Sequence, residues 1–213
     1  MSALPKPSNW NVANAFTALR LVAVPVFIVL LLHDDGQSDS WRIAATAAFA
    51  VAIITDRIDG ELARRWGLIT DLGKIADPIA DKALVGSALI CLSLIGELPW
   101  WVTVVVLFRE LAITGVRFVV IRHGVMPASR GGKYKTTAQS VALLLYLAPL
   151  PDAFQPVAVV TMGVAVVLTV ATGLDYVVQA VRLRRGSDRT RAKRATGRGV
   201  PPESHRAGQS SAA

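Results

Sequence analysis

Six long apolar runs, at 14–32, 41–55, 75–95, 99–120, 137–150 and 154–181, separated by short polar connectors, restrict this chain more than any other feature. Without water, a backbone must satisfy its own hydrogen bonds, so repeated apolar runs of this length predict an all-α bundle of six transmembrane helices. Several runs fall short of the ~20 residues a bilayer span requires unless polar residues are included at one end. The second stops at Asp56, the third contains Asp77 and Asp81, the fourth meets Arg109, Glu110 and Arg117, and the fifth follows Lys133, Lys135, Thr136 and Gln139.

Connector charge orients the spans. The links 33–40, 96–98 and 150–155 carry acids but no Lys or Arg, whereas 57–74 and 117–135 are basic, as is the C-terminal stretch. By the positive-inside rule both termini are cytoplasmic. Arg20, Asp56, Asp59, Asp77, Asp81, Arg109, Arg117, Lys133 and Lys135 then fall in the cytoplasmic half, with Asn14, Thr17 and Asp175, and the outer halves are expected to be almost purely apolar. Intramembrane charges normally face a bundle interior or a wet cavity. The pattern predicts a polar chamber open to the cytoplasm, closed on the outer side and reached laterally by lipid.

Composition agrees. Of 213 residues 53% are hydrophobic, and mean hydropathy is +0.46, which favours a single membrane domain, taken as 1–182. The net charge of +8 would point to nucleic acid on a soluble chain, but here much of the excess lies in 183–213. That basic, aliphatic-poor tail is expected to be disordered and to lie against anionic headgroups. A lone Cys91 excludes an intrachain disulfide and argues against a cysteine zinc site. The N-terminal MSALPKPSNWNV has no apolar core of a cleavable signal peptide.

Between the second and third runs the sequence reads DRIDGELARRWGLITDLGKIADPIAD, from Asp56 to Asp81. Asp56 and Asp59 at i,i+3, and Asp77 and Asp81 at i,i+4, each place two carboxylates on one helical face. Four acids this close repel, and hard divalent cations with oxygen ligands relieve that repulsion. Gly60 and Gly73 are expected to flank the connecting loop.

The spacing D-x2-D-G-x2-A-R-x8-G-x3-D-x3-D resembles the motif of the CDP-alcohol phosphatidyltransferases, complete here as Asp56, Asp59, Gly60, Ala63, Arg64, Gly73, Asp77 and Asp81. The resemblance implies a six-helix bacterial plasma-membrane enzyme, a homodimer, that moves a phosphatidyl group from CDP-diacylglycerol to an alcohol and releases CMP. It implies two ions of Mg2+ or Mn2+ on Asp56, Asp59 and Asp77, with Asp81 as the fourth acid and general base. It assigns Gly60 and Ala63 to a slot for the cytosine ring, with Arg64, Thr70 and Gly73 shaping the CDP-diacylglycerol site. NVANAFTALRLVAVPVF at 11–27, FRE at 108–110, GGKYKTTAQ at 131–139 and TGLDYV at 172–177 resemble the branch whose acceptor is glycerol 3-phosphate. Arg109, about nine apolar residues into its run or roughly 13 Å along a helix rising ~1.5 Å per residue, needs a partner such as Glu110 or a ligand phosphate. Arg109, Arg117, Lys133 and Lys135 are the expected acceptor-phosphate ligands. Inositol phosphate and phosphatidylglycerol are rival acceptors. A divalent-cation transporter is the rival of another class, but it should show polar residues in both halves or an inverted repeat.

Overall fold

The computed structural model describes the backbone of residues 12–66, 71–120 and 130–197, with side chains at 17–56, 58, 79–115 and 134–179. Within these residues lie α1 (Val12–Leu32), α2 (Asp39–Trp66), α3 (Asp71–Leu94), α4 (Trp100–Val120), α5 (Arg130–Leu147) and α6 (Gln155–Gly197), with 3-10 turns at His33–Gly36 and Asp152–Phe154. The described residues contain no strand.

Reversals between helices rest on local chemistry. Asp34, Asp35 and Gly36 turn the chain after α1 with φ of 54°, 49° and 72°, a left-handed region that aspartate tolerates better than most side chains. Gly36 also stands where a Cβ would lie 3.0 Å from Ile95 Cδ1. Gly96, at φ 79°, ends α3, and the amides of Glu97 and Leu98 both donate to the Leu92 carbonyl, at 3.0 and 3.1 Å. This satisfies an otherwise orphaned helix-end acceptor.

Helix α1 packs on α2 and α3, α6 packs on α4 and α5, and the α2–α5, α3–α4 and α3–α5 contacts join the two sets. The apolar core draws on the C-terminal halves of α1, α3 and α5 and the N-terminal halves of α2, α4 and α6. Phe27, Leu31, Phe49, Leu89, Leu92, Leu143 and Leu147 are completely buried there. Alternating helix direction gathers these positions at one end of the bundle, while Arg20, Asp56, Asp81, Lys82 and Lys135 lie toward the other. Large aliphatic side chains also face outward on most helices, among them Val29, Val51, Leu111 and Val167 at 62–68% exposure. Surface of this kind is stable against lipid and not against water. Two segments, Thr17–Gly36 and Asp152–Gln179, are long and apolar enough by themselves to cross a bilayer. The described residues are all helical, and their outward apolar surface is that of a membrane protein.

The structure corrects the sequence reading in three respects. Helices outrun the apolar runs: α2 continues past Asp56 to Trp66 and α5 begins at Arg130, because hydropathy marks where lipid ends and not where backbone hydrogen bonding ends. Gly60 and Gly73 therefore lie inside α2 and α3 and do not flank a loop. Helix α6 likewise runs through the basic stretch to Gly197, where disorder is expected from residue 183. Arg, Lys and Ala are good helix formers, and extending an existing helix avoids the nucleation penalty.

The third correction concerns the apolar end, which holds polar groups that satisfy one another. Arg42 donates to Glu97 Oε1 at 2.6 Å, to the Tyr146 carbonyl at 2.9 Å and to the Leu147 carbonyl at 3.4 Å. Ser93 Oγ and Thr103 Oγ1, both buried, lie 2.7 Å apart, and Thr103 also donates to the Leu89 carbonyl. Hydropathy averages conceal such pairs.

Candidate active site

At the polar end the charged side chains form two connected clusters. In the first, Arg20 of α1 pairs with Asp56 of α2, Nη1 to Oδ1 2.6 Å, with the arginine buried and the carboxylate about one-third exposed. Asp81 of α3 lies within electrostatic range of this pair and also of Glu110 and Lys135. It is the bridge between the two clusters.

The second cluster is centred on Glu110 in the middle of α4. Its Oε1 accepts from Arg109 Nη1 at 2.8 Å and from Lys135 Nζ of α5. Arg109 Nη2 also donates to Thr172 Oγ1 of α6 at 2.6 Å, and Thr172 in turn donates to the Leu168 carbonyl. The arginine stem lies along Gly173, where an added Cβ would sit 3.2 Å from both Arg109 Cγ and Nε. Lys82, next to Asp81, reaches Thr114 Oγ1 and the Glu110 carbonyl. A pocket of about 150 Å³ between α3, α4 and α5 is bordered by Asp81, Lys82, Glu110, Lys135 and Gln139.

Charge counting shows what this second cluster lacks. Among the described side chains of this cluster, Lys82, Arg109 and Lys135 are three cations and Asp81 and Glu110 two carboxylates, with Asp81 also in electrostatic range of Arg20. Buried charge of one sign is relieved by a counter-ion. The pocket is thus suited to a small anion that also presents a group to Asp81.

Of the acceptor ligands expected from sequence, the fold brings Arg109 and Lys135 to one carboxylate oxygen, although 26 residues separate them. Arg117 and Lys133 lie on α4 and α5, but their side chains are outside the described residues. The same holds for Asp59, Gly60, Ala63 and Arg64 on α2 and for Gly73 and Asp77 on α3, while Thr70 lies outside the described residues altogether. Sequence reasoning missed Lys82, the Arg20 partner of Asp56, Thr172 and Gly173, and saw Glu110 as a partner of Arg109 alone. The available signal was position: Arg20 lies inside NVANAFTALRLVAVPVF, Glu110 inside FRE, Thr172 and Gly173 inside TGLDYV, and Lys82 directly follows Asp81.

Donor chemistry at the aspartates fits hard divalent metal. Asp56 and Asp81 offer oxygen ligands from two helices within range of each other. Asp59 and Asp77 stand on the same helices at one-turn spacing, and carboxylate oxygens are the ligands such a cation prefers.

Comparison with known proteins identifies the family. The sequence pattern described as CDP-alcohol phosphatidyltransferase matches residues 10–171. A protein of Mycobacterium tuberculosis (strain H37Rv) named "Probable phosphatidylglycerophosphate synthase" is 55% identical over 172 residues, 81% of this chain and 82% of its own length. A Bacillus subtilis protein named "CDP-diacylglycerol--glycerol-3-phosphate 3-phosphatidyltransferase" is 37% identical over 180 residues, 78% and 93% of the two chains. A Streptomyces coelicolor protein named "Cardiolipin synthase (CMP-forming)" is 37% identical over 120 residues, 55% and 54% of the two chains. With the match running from the start of α1 into α6 and covering the whole aspartate motif, this chain belongs to the CDP-alcohol phosphatidyltransferase family.

Proposed function

We propose that this chain transfers the phosphatidyl group of CDP-diacylglycerol to glycerol 3-phosphate, giving phosphatidylglycerophosphate and CMP. The observation that carries the reading is the convergence of Arg109 and Lys135 on one oxygen of Glu110, beside a pocket bordered by Asp81. Such a pocket suits an acceptor with a phosphate at one end and a nucleophilic hydroxyl at the other. The names of the mycobacterial and Bacillus relatives support the same acceptor.

Each residue then has a task. Arg109 and Lys135, with Arg117 and Lys133, hold the acceptor phosphate, and the guanidinium fork supplies paired donors to its oxygens. Glu110 keeps the two cations in register and limits the charge the phosphate must balance. Asp81 takes the proton from the primary hydroxyl as that oxygen attacks the β-phosphorus of the donor, and the bond to CMP breaks. Gly60, Ala63, Arg64, Thr70 and Gly73 line the nucleotide side. Asp56, Asp59 and Asp77, with Asp81, would hold two ions of Mg2+ or Mn2+, which when bound neutralise the diphosphate and polarise its phosphoryl oxygens. Arg20 fixes the Asp56 carboxylate in position.

All six helices cross the membrane in this reading, with both termini and the polar chamber on the cytoplasmic side and the basic end of α6 against the headgroups. The alternation of basic and acidic connectors supports that orientation. The enzyme acts as a homodimer.

The test is an acceptor panel: purified protein, labelled CDP-diacylglycerol and divalent metal, with glycerol 3-phosphate, inositol phosphate or phosphatidylglycerol supplied separately. Labelled phosphatidylglycerophosphate is the expected product. Cardiolipin, the product suggested by the Streptomyces relative's name, or an inositol lipid formed in its place would overturn the acceptor assignment.

A further inference from the structure

One polar group at the pocket is used neither by the cation cluster nor by the aspartates. Gln139 stands one turn beyond Lys135 on α5, so the two side chains share a helical face. It is 4% exposed and lines the pocket, yet its amide nitrogen has no hydrogen-bond partner among the described residues. Part of the pocket lining, from Val85, Val106 and Leu107, is apolar. A buried donor left unpaired is destabilising, and an incoming acceptor atom relieves it.

Resting on the proposed function, we infer that Gln139 reads the middle hydroxyl of the acceptor and so selects a short polyol phosphate. An acceptor with its phosphate at Lys135 and Arg109 and its primary hydroxyl toward Asp81 extends its remaining carbon across the pocket that Gln139 borders. A carboxamide both donates and accepts, which matches a secondary hydroxyl in either role. The volume of about 150 Å³ admits a three-carbon chain. A site built around a substrate hydroxyl discriminates against the analogue that lacks it, because its own polar group is then left unpaired.

The experiment compares glycerol 3-phosphate with 3-hydroxypropyl phosphate, which keeps the phosphate and the nucleophilic hydroxyl but lacks the middle one. Gln139→Met, of similar length, and Gln139→Leu are assayed beside the wild type, with the KM for CDP-diacylglycerol as the check on folding. Both variants should lose about tenfold or more in kcat/KM for glycerol 3-phosphate while staying within about twofold of wild type on the deoxy analogue. Equal losses on both acceptors, or no loss on either, overturn the role of Gln139 and leave the proposed function standing. A wild-type enzyme inert toward glycerol 3-phosphate overturns both.

Discussion

At the scale of single residues, the two charge clusters should fail in different ways when disturbed. Asp56→Asn, Asp59→Asn and Asp77→Asn each remove a charge from the group proposed to hold metal, so each should lower turnover by orders of magnitude, as should EDTA. Full turnover in EDTA would refute the metal assignment. Asp81→Asn should preserve donor binding better than it preserves kcat, because a base acts in the chemical step, and equal loss of both would point to a metal ligand. Arg109→Ala and Lys135→Ala should raise the KM for glycerol 3-phosphate far more than the KM for CDP-diacylglycerol. Arg109→Lys should be harmful as well, since one ammonium cannot serve Glu110, Thr172 and a phosphate as the guanidinium does. Equal changes in both constants would place these cations elsewhere in the reaction.

At the scale of helices, α6 acts as the wall against which Arg109 is held. Gly173 leaves the room, and Thr172 accepts the outer guanidinium nitrogen. Gly173→Ala should therefore push the arginine stem away by a few tenths of an ångström and raise the KM for glycerol 3-phosphate several-fold without changing yield or donor KM. Arg109 and Thr172 lie 63 residues apart, so no local pattern could have paired them. What was legible is what depends on composition along one helix: six apolar runs and acids at i,i+3 and i,i+4. The Lys135 contact with Glu110 depends on how α4 and α5 pack, and sequence gave only the depth of each residue. Helix ends were misread because charged stretches such as 57–66 and 130–136 continue the backbone ladder beyond the lipid.

For the molecule as a whole, the two ends have opposite compositions and separate duties. Phe27 and Phe49, with ring centroids 5.5 Å apart, sit in the apolar end with the leucines of α3 and α5. Phe27→Ala should lower the melting temperature in detergent by several degrees and leave both substrate KM values near wild type. The loss should fall below the ~3–5 kcal/mol typical of water-soluble cores, since lipid replaces water as the alternative solvent. A large KM change would mean that the ends are mechanically coupled.

The packed end also has an electrical consequence. With the polar end toward the cytoplasm as proposed, the chamber is a recess at cytoplasmic potential, and the transmembrane voltage falls almost wholly across the layer of Phe27, Phe49, Leu89, Leu92 and Leu143. A charge carried through the full field would gain or lose ~2.3 kcal/mol per 100 mV, enough to alter turnover by more than an order of magnitude. Anionic substrates entering this recess cross almost none of it. The rate in sealed vesicles should therefore be unchanged when a potential of either sign is imposed, and the bundle should conduct no ions despite its buried charges.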